Sequence, residues 1–242
     1  MKDTLYKDKD SSIKPFEFDQ HVVDVFPDMI RRSVPGYPMT LAMISVIADR
    51  YFINGSSIYD LGCSLGSVTF AQDNGLTQQK GKIIGIDNSR EMIQSCNRTL
   101  DVHQGQFDIE FIHADITECD ITNASIVIMN FTLQFVPVEK RVALLKTIYD
   151  GMLPGGVLIL SEKITFDSED ESMLMQDLHH HMKGMNGYDE MEIANKRDAL
   201  EKVLLPETIG NHIDRLQGCG FQTVTQWLRC LNFISLLAFK SS

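Results

Sequence analysis

Five short runs in the chain are apolar almost without interruption: SIYDL (57–61), KIIGID (82–87), IEFIHAD (109–115), ASIVIMNF (124–131) and GGVLILSE (155–162). A strand with one wet face alternates apolar and polar residues, whereas a strand covered on both faces does not, so these runs predict parallel strands inside an α/β fold. Helical spacing fills the gaps at 66–73, 89–100 and 138–151, the last closing on Leu153, Pro154, Gly155 and Gly156. Upstream, FEFDQHVVDVFPDMIRRSVPGY has apolar residues at helical intervals until Pro35 and Gly36, and Met39 to Phe52 carries a second such stripe. The first dozen residues are polar and read as frayed. Downstream, residues 167–205 form a polar, Met-rich helical insert, 206–218 a helix, and FQTVTQWLRCLNFISLLAFK an antiparallel hairpin turning near Cys230 to Asn232. The order predicts a doubly wound, mostly parallel sheet with right-handed crossovers and a ligand site outside the carboxyl ends of its strands.

At 242 residues and 43% apolar content the chain supports one core, hence one domain over 1–242, with 1–36 as an N-terminal helical arm. Lys plus Arg number 22 against 33 Asp plus Glu, a formal charge of -11, which disfavours direct binding to a nucleic-acid backbone. MKDTLYKDKDSSIK has charges where a signal peptide needs an apolar stretch, and no later segment reaches the length of a membrane span, so the expected location is cytoplasmic. Five scattered cysteines without a C-x-x-C pair argue against disulfides and zinc, and no metal is expected. His179, His180 and His181 cannot converge on one ion, because consecutive helical side chains diverge by about 100°. They read as a polar helix face.

The candidate chemistry starts at YDLGCSLGS, where an apolar run stops at Asp60 and releases into Gly62, Cys63, Ser64, Leu65 and Gly66. A glycine turn between a first strand and its helix lets a nucleotide approach the main chain. Asp60 and Leu65 are poor neighbours for a diphosphate, and an acidic residue there suits an ammonium or sulfonium ligand. Asp87, ending the second strand, is placed to accept ribose hydroxyls, and Asp115 with Ile116 to receive an adenine. Each aspartate could equally cap the next helix. Cys63 has no histidine at a spacing that suggests a thiolate partner and reads as a small residue that fits.

DLGCSLGS, GIDNS, HADI, NFTLQF, LPGGVLILSE and the terminal hairpin resemble the class I S-adenosylmethionine-dependent methyltransferase fold, Rossmann-like and seven-stranded. That resemblance implies that Gly62, Cys63 and Ser64 cradle the methionine part, Asp87 and Asn88 the ribose, Asp115 and Ile116 the adenine, and that Asn130 closes the back of the pocket. A tighter resemblance, carried by FEFDQHVVDVFPDMIRRSVPGY, IDNSREMI, MNFTLQFV, LSEKITF, NGYDEMEIANKRDALE and QWLRCLNFISLLA, is to the carboxy-S-adenosyl-L-methionine synthase family.

The family resemblance implies a carboxyl-group transferase that converts S-adenosyl-L-methionine and prephenate to carboxy-S-adenosyl-L-methionine and phenylpyruvate. The product would go to a separate enzyme that modifies a tRNA wobble uridine. A sulfonium acidifies its methyl hydrogens, so the carbanion left by proton loss can capture carbon dioxide leaving prephenate; the enzyme's part is to orient and to exclude water. Arg197, in NKRDALE, aligns with the arginine that clasps the added carboxylate, and Tyr37, in RSVPGY, with a residue that closes over the ligand. An arginine stays charged and cannot be the base; the departing hydroxide of prephenate is the candidate acceptor. Pro38, Met39 and Thr40 depart from the family pattern and leave the lid contacts open. The resemblance also implies a homodimer, with the arm and the insert as its contact, and leaves open whose pocket Arg197 serves.

On spacing alone Arg197 is a solvated cation paired with Asp198, Glu201 or Glu192, and Tyr37 a turn tyrosine packed on the core. Met173, Met175, Met182, Met185 and Met191 suit core packing first and an aromatic-acid pocket second. Arg31, Arg32 and Arg229 are candidates for the prephenate carboxylates by charge alone. Two other functions fit the same nucleoside pocket: an ordinary small-molecule methyltransferase, and a non-catalytic carrier.

Overall fold

The computed structural model describes residues 1–5, 18–76, 80–200 and 203–241. In chain order the described elements are α1 (Gln20–Ser33), α2 (Tyr37–Tyr51), β1 (Ser57–Leu61), α3 (Ser67–Gly75), β2 (Lys82–Asp87), α4 (Arg90–Leu100), β3 (Asp108–His113), β4 (Ala124–Asn130), α5 (Val138–Gly151), β5 (Met152–Lys163), α6 (Glu169–Met185), α7 (Glu190–Leu200), α8 (Ile209–Gly218), β6 (Thr223–Cys230) and β7 (Phe233–Phe239). The strands make one seven-stranded sheet in the order β3-β2-β1-β4-β5-β7-β6. The first five pair in parallel, and β7 runs antiparallel to both β5 and β6. This is the expected doubly wound sheet with its C-terminal hairpin.

The continuous apolar runs have a direct cause. Ile58 of β1 packs with Ile44, Ile47 and Ala48 of α2 on one face, while its neighbour Tyr59 and then Leu61 pack on the opposite face with Leu144 and Leu145 of α5 and Leu216 of α8. Every residue of the strand is therefore buried. β3 departs from that expectation: it is the edge strand, and Asp108, Glu110 and His113 are exposed. A terminal strand has a neighbour on one side only, so its polar residues reach water.

Arg141 of α5 is fully buried and ties three segments together. Its Nε donates to the Val136 carbonyl (2.9 Å), one terminal nitrogen to the Leu205 carbonyl (2.8 Å), and the other pairs with Glu207. The end of the helical insert is thereby pinned beside the loop that follows β4.

Two expectations about the periphery change. Asp3 is buried, with its Oδ2 accepting from Tyr188 Oη (2.5 Å) and its amide donating to Asp28 (2.8 Å), so the described start of the chain is packed rather than frayed. Residues 6–12, the rest of the segment read as frayed, lie outside the described residues, as do 13–17. Within the insert, Met173, Met185 and Met191 are exposed, together with Leu174 and Leu178, so they fill neither the core nor a pocket in this chain. The reason is geometric: α6 turns its buried face, with His179 and Lys183, inward, and Met173 and Met185 outward, while Met175 and Met182 are half-buried.

Arg141→Met is expected to lower stability by about 3 to 5 kcal/mol, because the Val136, Gln134 and Leu205 carbonyls lose a buried donor and Glu207 one of its two cations, Arg215 being the other; urea unfolding of the ligand-free protein measures it.

Candidate active site

A cavity of about 510 Å³ opens at the carboxyl ends of the parallel strands. Its floor is the loop after β1. There Gly62 (φ +78°), Ser64 (φ +50°) and Gly66 (φ +73°) all adopt left-handed conformations. A Cβ at Gly62 would lie 2.3 Å from Thr132 Cγ2, so only glycine allows the turn to press against the loop after β4. The Ser64 amide donates to Asp87 Oδ2 (2.8 Å), and the Ser89 amide to Asp87 Oδ1 (2.9 Å). Oδ2 of Asp87 thus holds the loop to the end of β2, while Oδ1 fixes the turn into α4, and the residue organises the site as well as facing it.

Asp60 also lines the cavity. It accepts from the Thr69 amide (3.1 Å) and hydroxyl (2.8 Å), and burial pushes its pKa up to about 7. Tyr37, at the first turn of α2, lies against Ser67 and Asp60, and burial raises its hydroxyl to about 12. A neutral phenol beside a carboxyl that ionises near neutrality suits a cationic ligand better than an anionic one.

The sequence-derived residues are largely brought together. Tyr37, Gly62, Cys63, Ser64, Asp87, Asn88, Asp115, Ile116 and Asn130 all line the cavity. Asp115 also accepts from the Thr117 amide (2.8 Å), so its capping role and its place in the cavity coexist. Asn130 Oδ1 and Thr117 Oγ1 are buried without a hydrogen-bond partner, which marks two polar positions awaiting one. Arg197 is not in the wall of its own cavity: it is 52% exposed and both Nε and a terminal nitrogen bond to Asp198, at 3.0 and 2.9 Å. Arg31 is exposed; Arg229 pairs with Glu171 (2.9 Å); Arg32 is buried against the Tyr188 ring and donates to Asn186 and Asp28. None of the three reaches the cavity.

What sequence reasoning missed is the far end of the cavity, where Lys163 of β5, His179 and Lys183 of α6 and Lys196 of α7 meet beside Phe131 and Phe233. His179 is held by the Ser33 carbonyl (2.8 Å) and packs edge-on against Phe233, and burial drives its pKa down to about 3. The three histidines therefore do not form one polar face, since His179 is buried while His181 is exposed. Lys183 stands four residues, one helical turn, from His179, a spacing that could have signalled a shared face. Among the described residues no cluster of three or more His, Cys, Asp or Glu could hold a metal ion, and no helix is long and apolar enough to cross a membrane.

Residues 58–156 match a family profile described as a methyltransferase domain. A carboxy-S-adenosyl-L-methionine synthase of Marinobacter nauticus is 49% identical over 94% of this chain and 91% of its own; the enzymes of that name from Trichlorobacter lovleyi and Photorhabdus laumondii are 48% and 44% identical, covering 98% and 100% of this chain and 98% and 96% of theirs. The chain belongs to the carboxy-S-adenosyl-L-methionine synthase family. It is thus an enzyme on a methyltransferase fold. Among solved structures, human N-acetylserotonin methyltransferase in complex with S-adenosylmethionine superposes with a TM-score of 0.62 at 16% identity, over 91% of this chain and 55% of that one. Magnesium protoporphyrin IX methyltransferase from Synechocystis with the same ligand gives 0.56 at 16%, over 85% and 80%. These two share the fold of the synthase family.

Two outcomes test the floor of the cavity. Asp87→Asn is expected to cost about 1 to 3 kcal/mol in the ligand-free protein as well as weakening nucleoside binding, since an amide nitrogen would face a backbone N–H; denaturation without ligand separates the two effects. Asp60, raised from 3.8 to about 7, stabilises the ligand-free fold fully below pH 3.8 and loses that contribution as pH rises through about 7. Asp60→Asn should therefore gain stability relative to the parent protein between those limits, read from urea midpoints across pH.

Proposed function

We propose that this protein converts S-adenosyl-L-methionine to carboxy-S-adenosyl-L-methionine, with prephenate as the carboxyl source and phenylpyruvate as the second product. The observation that carries the reading is near-full-length identity of 43% or more to relatives bearing that enzyme's name, joined to a cavity with a carboxylate floor and a cationic far wall. The residues present fit the substrate. Gly62, Cys63 and Ser64 line the methionine side of the loop, Asp87 and Asn88 face the ribose position, and Ile116 with the orphan Thr117 hydroxyl offers an apolar plate and a polar contact for adenine. Asn130, with its unpartnered Oδ1, and Asp60 face the methionine end.

The sulfonium supplies the chemistry, by making its methyl hydrogens acidic. The chain's own residues bind, orient and keep water out: Tyr37 closes one side, and Phe131, Phe135 and Phe233 provide an apolar wall that favours loss of charge from a departing carboxylate. His179 is committed to the Ser33 carbonyl, and Asp60, the carboxyl beside Tyr37, already accepts from the Thr69 amide and hydroxyl, so neither is a free base. That supports the departing hydroxide of prephenate as the proton acceptor.

Arg197 is read as serving a second copy of the chain. Its exposed place outside its own cavity, together with the apolar surface of Met173, Leu174, Leu178 and Met185 on α6, supports a homodimer in which the guanidinium meets the added carboxylate of its neighbour. The excess of acidic residues supports a small-molecule role, with the product handed to a separate enzyme that carries out the tRNA wobble uridine step. Five free thiols, with Cys63 beside Cys96, suit the reducing cytoplasm.

Purified protein given S-adenosyl-L-methionine and prephenate is expected to release phenylpyruvate and a nucleoside heavier than its substrate by one carbon dioxide; methylation of an added acceptor with no such product would overturn the reading. Arg197→Ala is expected to weaken binding of the carboxylated product by about 2 to 4 kcal/mol while sparing S-adenosyl-L-methionine. Calorimetry of both ligands measures the difference.

A further inference from the structure

Three ammonium groups share one end of the cavity in a chain whose formal charge is -11. Lys183 is 7% exposed and Lys196 is 4% exposed. Burying a cation is costly unless a counter-charge or a full set of acceptors offsets the lost hydration. Lys196 has such a set: Asp3 Oδ2 (3.4 Å), the Ser33 hydroxyl (3.0 Å) and the Tyr188 hydroxyl (3.4 Å). Lys183 has none among the described residues. Its electrostatic neighbours are Lys196 from α7 and Lys163 from β5, both of its own sign, and on its own helix His179 and His180 are held towards the neutral form. Arg32, Asp28 and Asp3 bear on Lys196 from the other side, and Asp3 is spoken for by Tyr188 and Lys196.

The geometry points to an anion subsite formed by Lys163, Lys183 and Lys196 at the end of the cavity away from the glycine loop, in which Lys183 pairs with a carboxylate of a small, ring-bearing dicarboxylic acid. It rests on the reading that such an acid, prephenate, supplies the carboxyl group. One carboxylate would meet Lys183, with Lys163 and Lys196 adding to the positive field there, while Phe131 and Phe233 face the ring and its second carboxylate. The arrangement also sorts ligands along the cavity: cations towards Asp60, anions towards the lysines. Burial and the two neighbouring ammoniums pull the Lys183 pKa down to about 7 when no anion is present. An arriving carboxylate restores the charged form, so binding above pH 7 draws a proton from solvent. The carboxylate that leaves as carbon dioxide cannot be the one held by Lys183, because a charge-assisted bond would oppose its loss; Lys183 holds the carboxylate that stays on the product keto acid.

The test is calorimetric titration of prephenate into protein saturated with S-adenosyl-L-homocysteine, which cannot react, at pH 8 in two buffers of different ionisation enthalpy. The wild-type protein is expected to take up protons on binding. Lys183→Met is expected to lose that uptake and to bind prephenate about tenfold more weakly, the equivalent of one charge-assisted bond; Lys183→Arg should retain most of the affinity. S-adenosyl-L-homocysteine itself should bind Lys183→Met within about twofold of wild type. Unchanged prephenate binding by Lys183→Met overturns the subsite, and so does an equal loss of nucleoside affinity, which would assign the lysine to the methionine carboxylate. Absence of prephenate binding to the wild-type protein would remove prephenate as carboxyl source, and the subsite with it. The apolar variant relieves a buried charge, so its ligand-free melting temperature is expected to hold or rise, keeping the binding result interpretable.

Discussion

A sheet buried on both faces gives its ligands one place to go. Helices occupy the two sides of β1, β2, β4 and β5, so polar chemistry collects where these strands end and their main chain turns outward. β1 stands between β2 and β4, and the chain after β1 and the chain after β4 form opposite banks of the same crevice. The contact between Gly62 and Thr132 joins those banks directly. The bond that Asp87 accepts from the Ser64 amide then fixes the loop to β2. Most of what the cavity can recognise follows from these few contacts at strand ends.

Around that frame the charges are unevenly spread. The loop end holds Asp60 and Asp87, both buried carboxyls whose pKa burial raises; the insert end holds lysines, whose pKa burial lowers. Each group is held away from its preferred ionic form until a ligand of opposite sign arrives. A sulfonium nucleoside and an organic acid would each relieve one end, which couples binding to the proton balance of the site.

The parallel strands were legible because burial on two faces leaves an unmistakable pattern, and the glycine loop because a main-chain approach needs residues without bulk. β3 was less legible, since its place at the edge depends on neighbours that the run IEFIHAD cannot show. Lys196 was not legible, and Lys183 only through its one-turn spacing from His179: a lysine in a polar helical insert reads as solvated until α6 and α7 are seen to fold over the strand ends. Lys196 and Arg197 make the limit concrete. They are adjacent, yet a turn of about 100° between successive side chains sends one inward and the other to water beside Asp198. Composition could name both as cations, but only the packing of α7 distinguishes them.

Asp3 is separated from Lys196 by 193 positions, yet its carboxylate touches the ammonium at the far end of the catalytic chamber. An unremarkable acidic residue near the amino terminus thereby sets how much positive potential the chamber presents. Exchange of that carboxyl for an amide would act like a remote dial on the charge beside Lys196, turned from a residue outside the cavity wall.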